Sequence, residues 1–119
     1  MRIYLSLPIT GYNEQERRAY AARTCGELTY LHEDWEIVNP FMIADRIRKE
    51  RLEQGDFSLP SYDELMDADL EQLRKCDCVL FCPKWTESEG CKMEYGEAIR
   101  LGIRKAYLKE NMEVYLMEP

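Results

Sequence analysis

The chain has a single histidine, His32, and no apolar run long enough to cross a membrane. With so few imidazoles a zinc site would have to be built almost wholly from thiolates. The cysteines do not suggest one. Cys78 and Cys82 alternate with bulky apolar residues, as small core residues do, and Cys76 lies just before them. There are five cysteines and no secretion signal, so an extracellular disulfide framework is not expected either. Basic residues are in deficit: 16 Lys and Arg stand against 23 Asp and Glu, for a net charge of −7. A protein that binds nucleic acid along a broad surface needs a basic face, and this composition argues against one. The first apolar run ends at Pro8, too soon for the core of a signal peptide. A cytoplasmic protein is expected, with no membrane partner and no nucleic-acid polymer as partner. Internal repeats, low-complexity tracts and interdomain linkers are lacking too, so the 119 residues are read as one domain.

What is present is an alternation of short apolar runs and helical patterns. Residues 2–7, 35–38, 77–82 and 104–108 read as strands, with Glu113 to Met117 as a last edge strand. Asn13 with Glu16 marks a helix start, and the pattern Ala21, Thr24, Cys25, Leu28, Leu31 supplies its apolar face as far as about His32. The turn Pro8-Ile9-Thr10-Gly11 joins the first strand to that helix, a place where phosphate or sugar can bind. From Ala44 to Asp56 charge is dense, with Arg46, Arg48, Lys49 and Arg51 among the acids. That run is either a solvated helix or a basic lid over an anionic ligand. The expected architecture is a three-layer α/β domain, flavodoxin- or Rossmann-like, with a mostly parallel sheet of about five strands.

Two carboxylates are out of place in this pattern. After the apolar run Cys78-Val79-Leu80-Phe81-Cys82, Thr86 or Ser88 can cap a helix, with Glu89 in capping-box position to Thr86. At roughly 100° per residue, Leu101, Glu94, Ala98, Cys91, Gly102, Tyr95 and Ile99 fall on one arc. Glu94 is therefore inside the apolar stripe, and Glu97 lies just past its edge, toward water. In the preceding helix, capped by Ser61 with Glu64, the residues Tyr62, Leu65, Met66, Leu70 and Leu73 recur at helical spacing and Asp69 fills the remaining slot. A carboxylate on a core face is either a structural group with a partner or one kept desolvated for chemistry. Two of them feeding one sheet edge suit glycosyl chemistry, where one attacks or shields the anomeric carbon and the other handles protons.

The run Asp69-Leu70-Glu71 with Cys76-Asp77, then Trp85, Ser88, Gly90, Glu94, Gly96 and Ala98 at their spacing, resembles the nucleoside 2-deoxyribosyltransferase superfamily. That superfamily includes deoxynucleoside monophosphate N-glycosidases and small phage-associated relatives, and the opening Ile3-Tyr4 with Pro8-Ile9-Thr10-Gly11 is most similar to the latter. The resemblance implies that Glu94 is a nucleophile forming a glycosyl ester and that Asp69 is an acid near the sugar and the leaving base. It implies that Ser88 holds phosphate, a role compatible with capping the helix. The chain departs from the superfamily at Leu7, where Gly is usual, and at Thr10, where the monophosphate glycosidases have Arg.

Cleavage or transfer at the N-glycosidic bond of a nucleoside or its 5′-monophosphate is accordingly expected. Glu94 and Asp69 are the candidate catalytic groups. Ser88, Gly90, Ile9, Thr10, Gly11 and Tyr12 are candidates to bind substrate. Trp85, Tyr12 and Phe41 are candidates to stack on the base, each with core packing as its alternative. Neither metal nor cofactor is implied. The alternatives are a nucleotide-binding or sensing module without turnover and a purely structural subunit. Sites shared between subunits are common in the superfamily, so a homodimer or higher homo-oligomer is expected.

Overall fold

The computed structural model describes residues 1–117. Strand β1 (Arg2–Ser6) leads through a tight turn into helix α1 (Glu14–Leu31). The Tyr12 N–H donates to the Ile9 carbonyl at 3.1 Å, and Gly11 takes φ +88° inside that turn, a conformation glycine adopts without strain. Asn13 caps α1 by accepting from the Glu16 N–H at 3.0 Å. Strand β2 (Glu36–Val38) is followed at once by helix α2 (Pro40–Glu53). That helix begins earlier than its charge-dense part suggests, because Asn39 caps it and Pro40 occupies the first turn, where a missing N–H costs nothing.

Helix α3 (Tyr62–Leu73) carries a complete capping box between Ser61 and Glu64. Strand β3 (Cys78–Phe81) then runs through a single 3₁₀ turn (Trp85–Glu87) into helix α4 (Glu89–Leu101). Of the two possible caps it is Ser88 that acts, accepting from the Cys91 N–H at 3.2 Å, while Thr86 is taken up in the 3₁₀ turn. Strand β4 (Arg104–Leu108) and strand β5 (Val114–Leu116) are the last elements among the described residues.

The five strands form one sheet in the order β2-β1-β3-β4-β5, parallel except for β5, which pairs antiparallel with β4. This is the flavodoxin-like order with an antiparallel edge strand added. Side-chain alternation divides each strand between two cores. Ile3, Leu5 and Leu7 of β1 and its end, with Cys78 and Leu80 of β3 and Cys82 just after it, pack beneath Ala21 and Leu28 of α1. Tyr4, Val79 and Phe81 face the other way, against Ile43 of α2, Leu73 of α3, and Cys91 and Ala98 of α4. One helix therefore covers one face and three cover the other, as right-handed crossovers from β1 outward to β2, and from β2 back to β3, require.

All five cysteines are free, and four of them are buried. Two apolar stripes are narrower than their sequence pattern. Ile99 and Leu101 of α4, and Leu31 of α1, lie at the margins and stay exposed. The basic residues of α2 are likewise solvated: Arg46, Arg48 and Lys49 are exposed, and Arg51 is paired with Glu64. Among the described residues no helix is long and apolar enough to cross a membrane.

The capping box at Ser61 sets where α3, and with it Asp69, begins. Ser61→Ala should lower the unfolding free energy by about 1 kcal/mol, measured by urea denaturation.

Candidate active site

The strand order reverses between β1 and β3, since the chain leaves β1 toward one edge and β3 toward the other. In open α/β sheets the crevice beyond the carboxyl ends of such a pair is the usual ligand site. A cavity of about 150 Å³ lies there. Its walls come from four places. The end of β1 and the turn after it give Tyr4, Leu7, Ile9 and Thr10, and α2 gives Pro40. Helix α3 supplies Tyr62, Leu65, Met66 and Asp69, while the start of α4 supplies Ser88, Gly90, Cys91 and Glu94.

Glu94 is 5% exposed, on the inward stripe of α4. One of its oxygens, Oε1, accepts a hydrogen bond of 2.7 Å from Ser6 Oγ, itself completely buried. Burial pushes the Glu94 carboxyl up to about 7, against opposing effects from Tyr4 and Ser6. Asp69 is pushed up to about 8, first by desolvation and then by the charge of Glu94, and Tyr4 again opposes. The Tyr4 hydroxyl is fully buried and makes no hydrogen bond of normal geometry, although both carboxylates are near enough to perturb it. Burial and those two charges raise its pKa well above the phenol range. It is thus a donor with no partner, on the wall of a cavity.

Ser88 is half-buried on the α4 side, where the first N–H groups of the helix have no partner within it. Gly90 beside it matters for room. A Cβ there would stand 3.2 Å from Met66 Cε, 3.6 Å from Tyr62 Oη and 3.9 Å from Ser88 Oγ.

Six of the ten candidates from the sequence, Glu94, Asp69, Ser88, Gly90, Ile9 and Thr10, therefore meet around one cavity. The others do not line it. Gly11 shapes the turn without reaching the wall. Tyr12 is exposed under the Arg17 guanidinium, 5.0 Å from its ring centroid. Phe41 is buried in the α1-side core with Arg18 over its ring. Trp85 packs between Phe81 and Tyr95, with centroids at 4.7 and 5.0 Å. For these two aromatics the packing alternative is the one the fold uses. The half-exposed aromatic that does line the cavity is Tyr62, which its place in a helical stripe presents as core. The sequence pattern does not mark Ser6, and it marks Tyr4 only within the opening Ile3-Tyr4 motif, because which strand residues meet α4 depends on how distant elements pack.

No Lys, Arg or His stands among the lining residues, and α2 contributes only Pro40. The basic run of α2 therefore brings no cation to the wall beside Thr10. Leu7 occupies part of the wall with a side chain where glycine would leave space.

The family model described as Domain of unknown function (DUF4406) matches residues 1–107. The chain belongs to that family. The DUF4406 match takes in every residue that lines the cavity. No curated protein and no solved structure matches the chain.

Both carboxyls titrate above their ordinary values of 4.5 and 3.8. In the unfolded chain they lose protons near pH 4; in the folded chain they hold them to about pH 7 and 8. Across that window the folded state binds more protons, so their contribution to stability is whole below pH 4 and declines as pH rises. Glu94→Gln should remove its share of the decline. The variant should therefore gain on the wild type as pH rises from about 4.5 to about 7, read as the difference in denaturation midpoint at each pH.

Proposed function

We propose that this protein cleaves, or transfers at, the N-glycosidic bond of a nucleoside or nucleoside 5′-monophosphate. The observation that carries the reading is the pair Glu94 and Asp69, desolvated in one cavity at the switch point of the sheet and unmatched there by any cation. The resemblance of this stretch to the nucleoside 2-deoxyribosyltransferases supports it.

The two acids divide the work by protonation. Near pH 7 Glu94, at about 7, is partly ionised, and Asp69, at about 8, is mostly protonated. The Glu94 carboxylate attacks the anomeric carbon as the bond to the base breaks, and the bonding pair leaves on the base nitrogen. Asp69 delivers the proton that neutralises it. The ester between sugar and Glu94 is then opened by water, or by a second base, which gives its proton to the Asp69 carboxylate. Glu94 leaves as carboxylate and both groups are reset. The Tyr4 hydroxyl, without a partner on the cavity wall, would donate to a sugar oxygen.

A phosphate would have Ser88 and the start of α4 as its partners and no cationic side chain from this chain's wall. If those partners suffice, monophosphates bind more tightly than the matching nucleosides, and Ser88→Asp reverses the preference by charge repulsion. Equal affinity in the wild type would remove that role. The bulk of Leu7 in the wall favours a second reading, a binding module without turnover. Incubation with a panel of nucleosides, deoxynucleotides and NAD, followed by assay for free base, separates the two.

A cavity of about 150 Å³ is also smaller than the roughly 300–1,000 Å³ usual for small-molecule sites. A sugar fits and the base projects from the mouth, so a second copy closing over it is proposed, giving a homodimer or higher homo-oligomer. Sedimentation at micromolar concentration should show more than monomer.

Glu94→Gln should abolish base release, with the fold retained by circular dichroism. Glu97→Gln should leave the rate nearly unchanged. Full activity in Glu94→Gln would overturn the mechanism.

A further inference from the structure

Resting on that reading of the cavity, one group has no assigned part. Ser6 is the last residue of β1, and its backbone is fixed on the β3 side. Its register partner is Phe81, and its carbonyl accepts from the Cys82 N–H at 2.8 Å. The side chain points to the α3/α4 face, is wholly buried, and donates to Glu94 Oε1 at 2.7 Å across 88 residues of sequence. A hydroxyl on a paired strand is a rigid anchor, and Glu94 has three rotatable bonds of side chain to restrain.

We propose that Ser6 is a positioning residue: its hydroxyl clamps one oxygen of Glu94, so that the other is presented to the reacting carbon in a fixed orientation. A carboxylate that attacks carbon must be held in a near-attack geometry, and free rotation about its last bond would dilute that geometry. The same bond favours the charged form, because a donor stabilises a carboxylate more than a carboxylic acid. It therefore offsets part of the desolvation of the nucleophile. A serine present only to satisfy its own hydroxyl would leave Glu94 as it was.

The other groups around Glu94 are Tyr4 on β1, Asp69 and Tyr62 on α3, and Cys91 on α4. All remain when Ser6 is changed, so a difference belongs to the clamp. The test is a titration of the Glu94 side-chain carboxyl by NMR on ¹³C-glutamate-labelled protein, the signal assigned with Glu94→Gln. Ser6→Ala should move its midpoint up by about one pH unit, tenfold in the ionised fraction on the acid side. Ser6→Thr, which keeps the hydroxyl, should return it toward the wild-type value. If Ser6→Ala does not fold, Ser6→Thr against Ser6→Val makes the same comparison at equal size.

In base-release assays the acid limb of the rate profile should move the same way, with kcat down about tenfold and KM nearly unchanged. A midpoint unmoved by loss of the hydroxyl overturns the proposal, as does a profile that keeps its acid limb. If no nucleoside is cleaved at all, the reading of the cavity falls. The titration then still decides whether Ser6 holds Glu94.

Discussion

Desolvation of Glu94 is the constraint around which the site is arranged. A helix stripe normally buries only apolar groups, and one carboxylate in it must be either compensated or tolerated. Here compensation is partial: one hydrogen bond from Ser6 is made, and the nearby Tyr4 donor is left without one. Two elements must be in register for even this much. Strand β1 has to present Tyr4 and Ser6 to the same face, and α4 has to be capped at Ser88 so that its second turn brings Glu94 above them. The β1–β3 pairing and the Ser88 cap fix those two conditions.

The fold was legible because its signals are local. Apolar runs of four or five residues, caps at Asn13, Ser61 and Ser88, and alternation of strand with helix suffice to foretell a mostly parallel five-stranded sheet. Glu94 and Asp69 were legible for the same reason: each interrupts a stripe that its own helix defines. The limit of such reasoning shows at the edges of the arcs. Ile99 and Leu101 belong to the same arc as Glu94 yet remain exposed, because the width of a buried face is set by what packs on it.

Ser6, Tyr4 and Tyr62 were not legible. Their roles in the cavity wall depend on contacts between residues far apart in sequence, which no window of the chain contains. Two of the three candidate aromatics for the base illustrate the converse. Trp85 and Phe41 lie next to cavity-lining elements in sequence, but the chain spends them on packing Phe81, Tyr95 and the α1 side of the core. Glu97 is an intermediate case. It was expected to face water, and it is instead half-buried between Arg74 and Arg100, because α3 ends close enough to α4 for Arg74 to cross over.

That last pairing bears on whether Glu94 and Asp69 are structural. Three acids that tie elements of this fold together are each given an arginine. Asp45 receives both terminal nitrogens of Arg18 at 2.9 Å, Glu64 has Arg51, and Glu97 has two partners. Each of those carboxyls is held below its ordinary value; the causes are the Arg18 and Arg100 bonds for Asp45 and Glu97, and the Ser61 N–H before Arg51 for Glu64. Glu94 and Asp69 are the reverse: buried or half-buried, raised by desolvation, and facing a cavity without a cation. Glu94 sits one turn before Glu97 on the same helix, so the difference is not one of arginine supply nearby. A structural acid left in that state would be a cost with no return, which is the physical ground for reading the pair as chemistry.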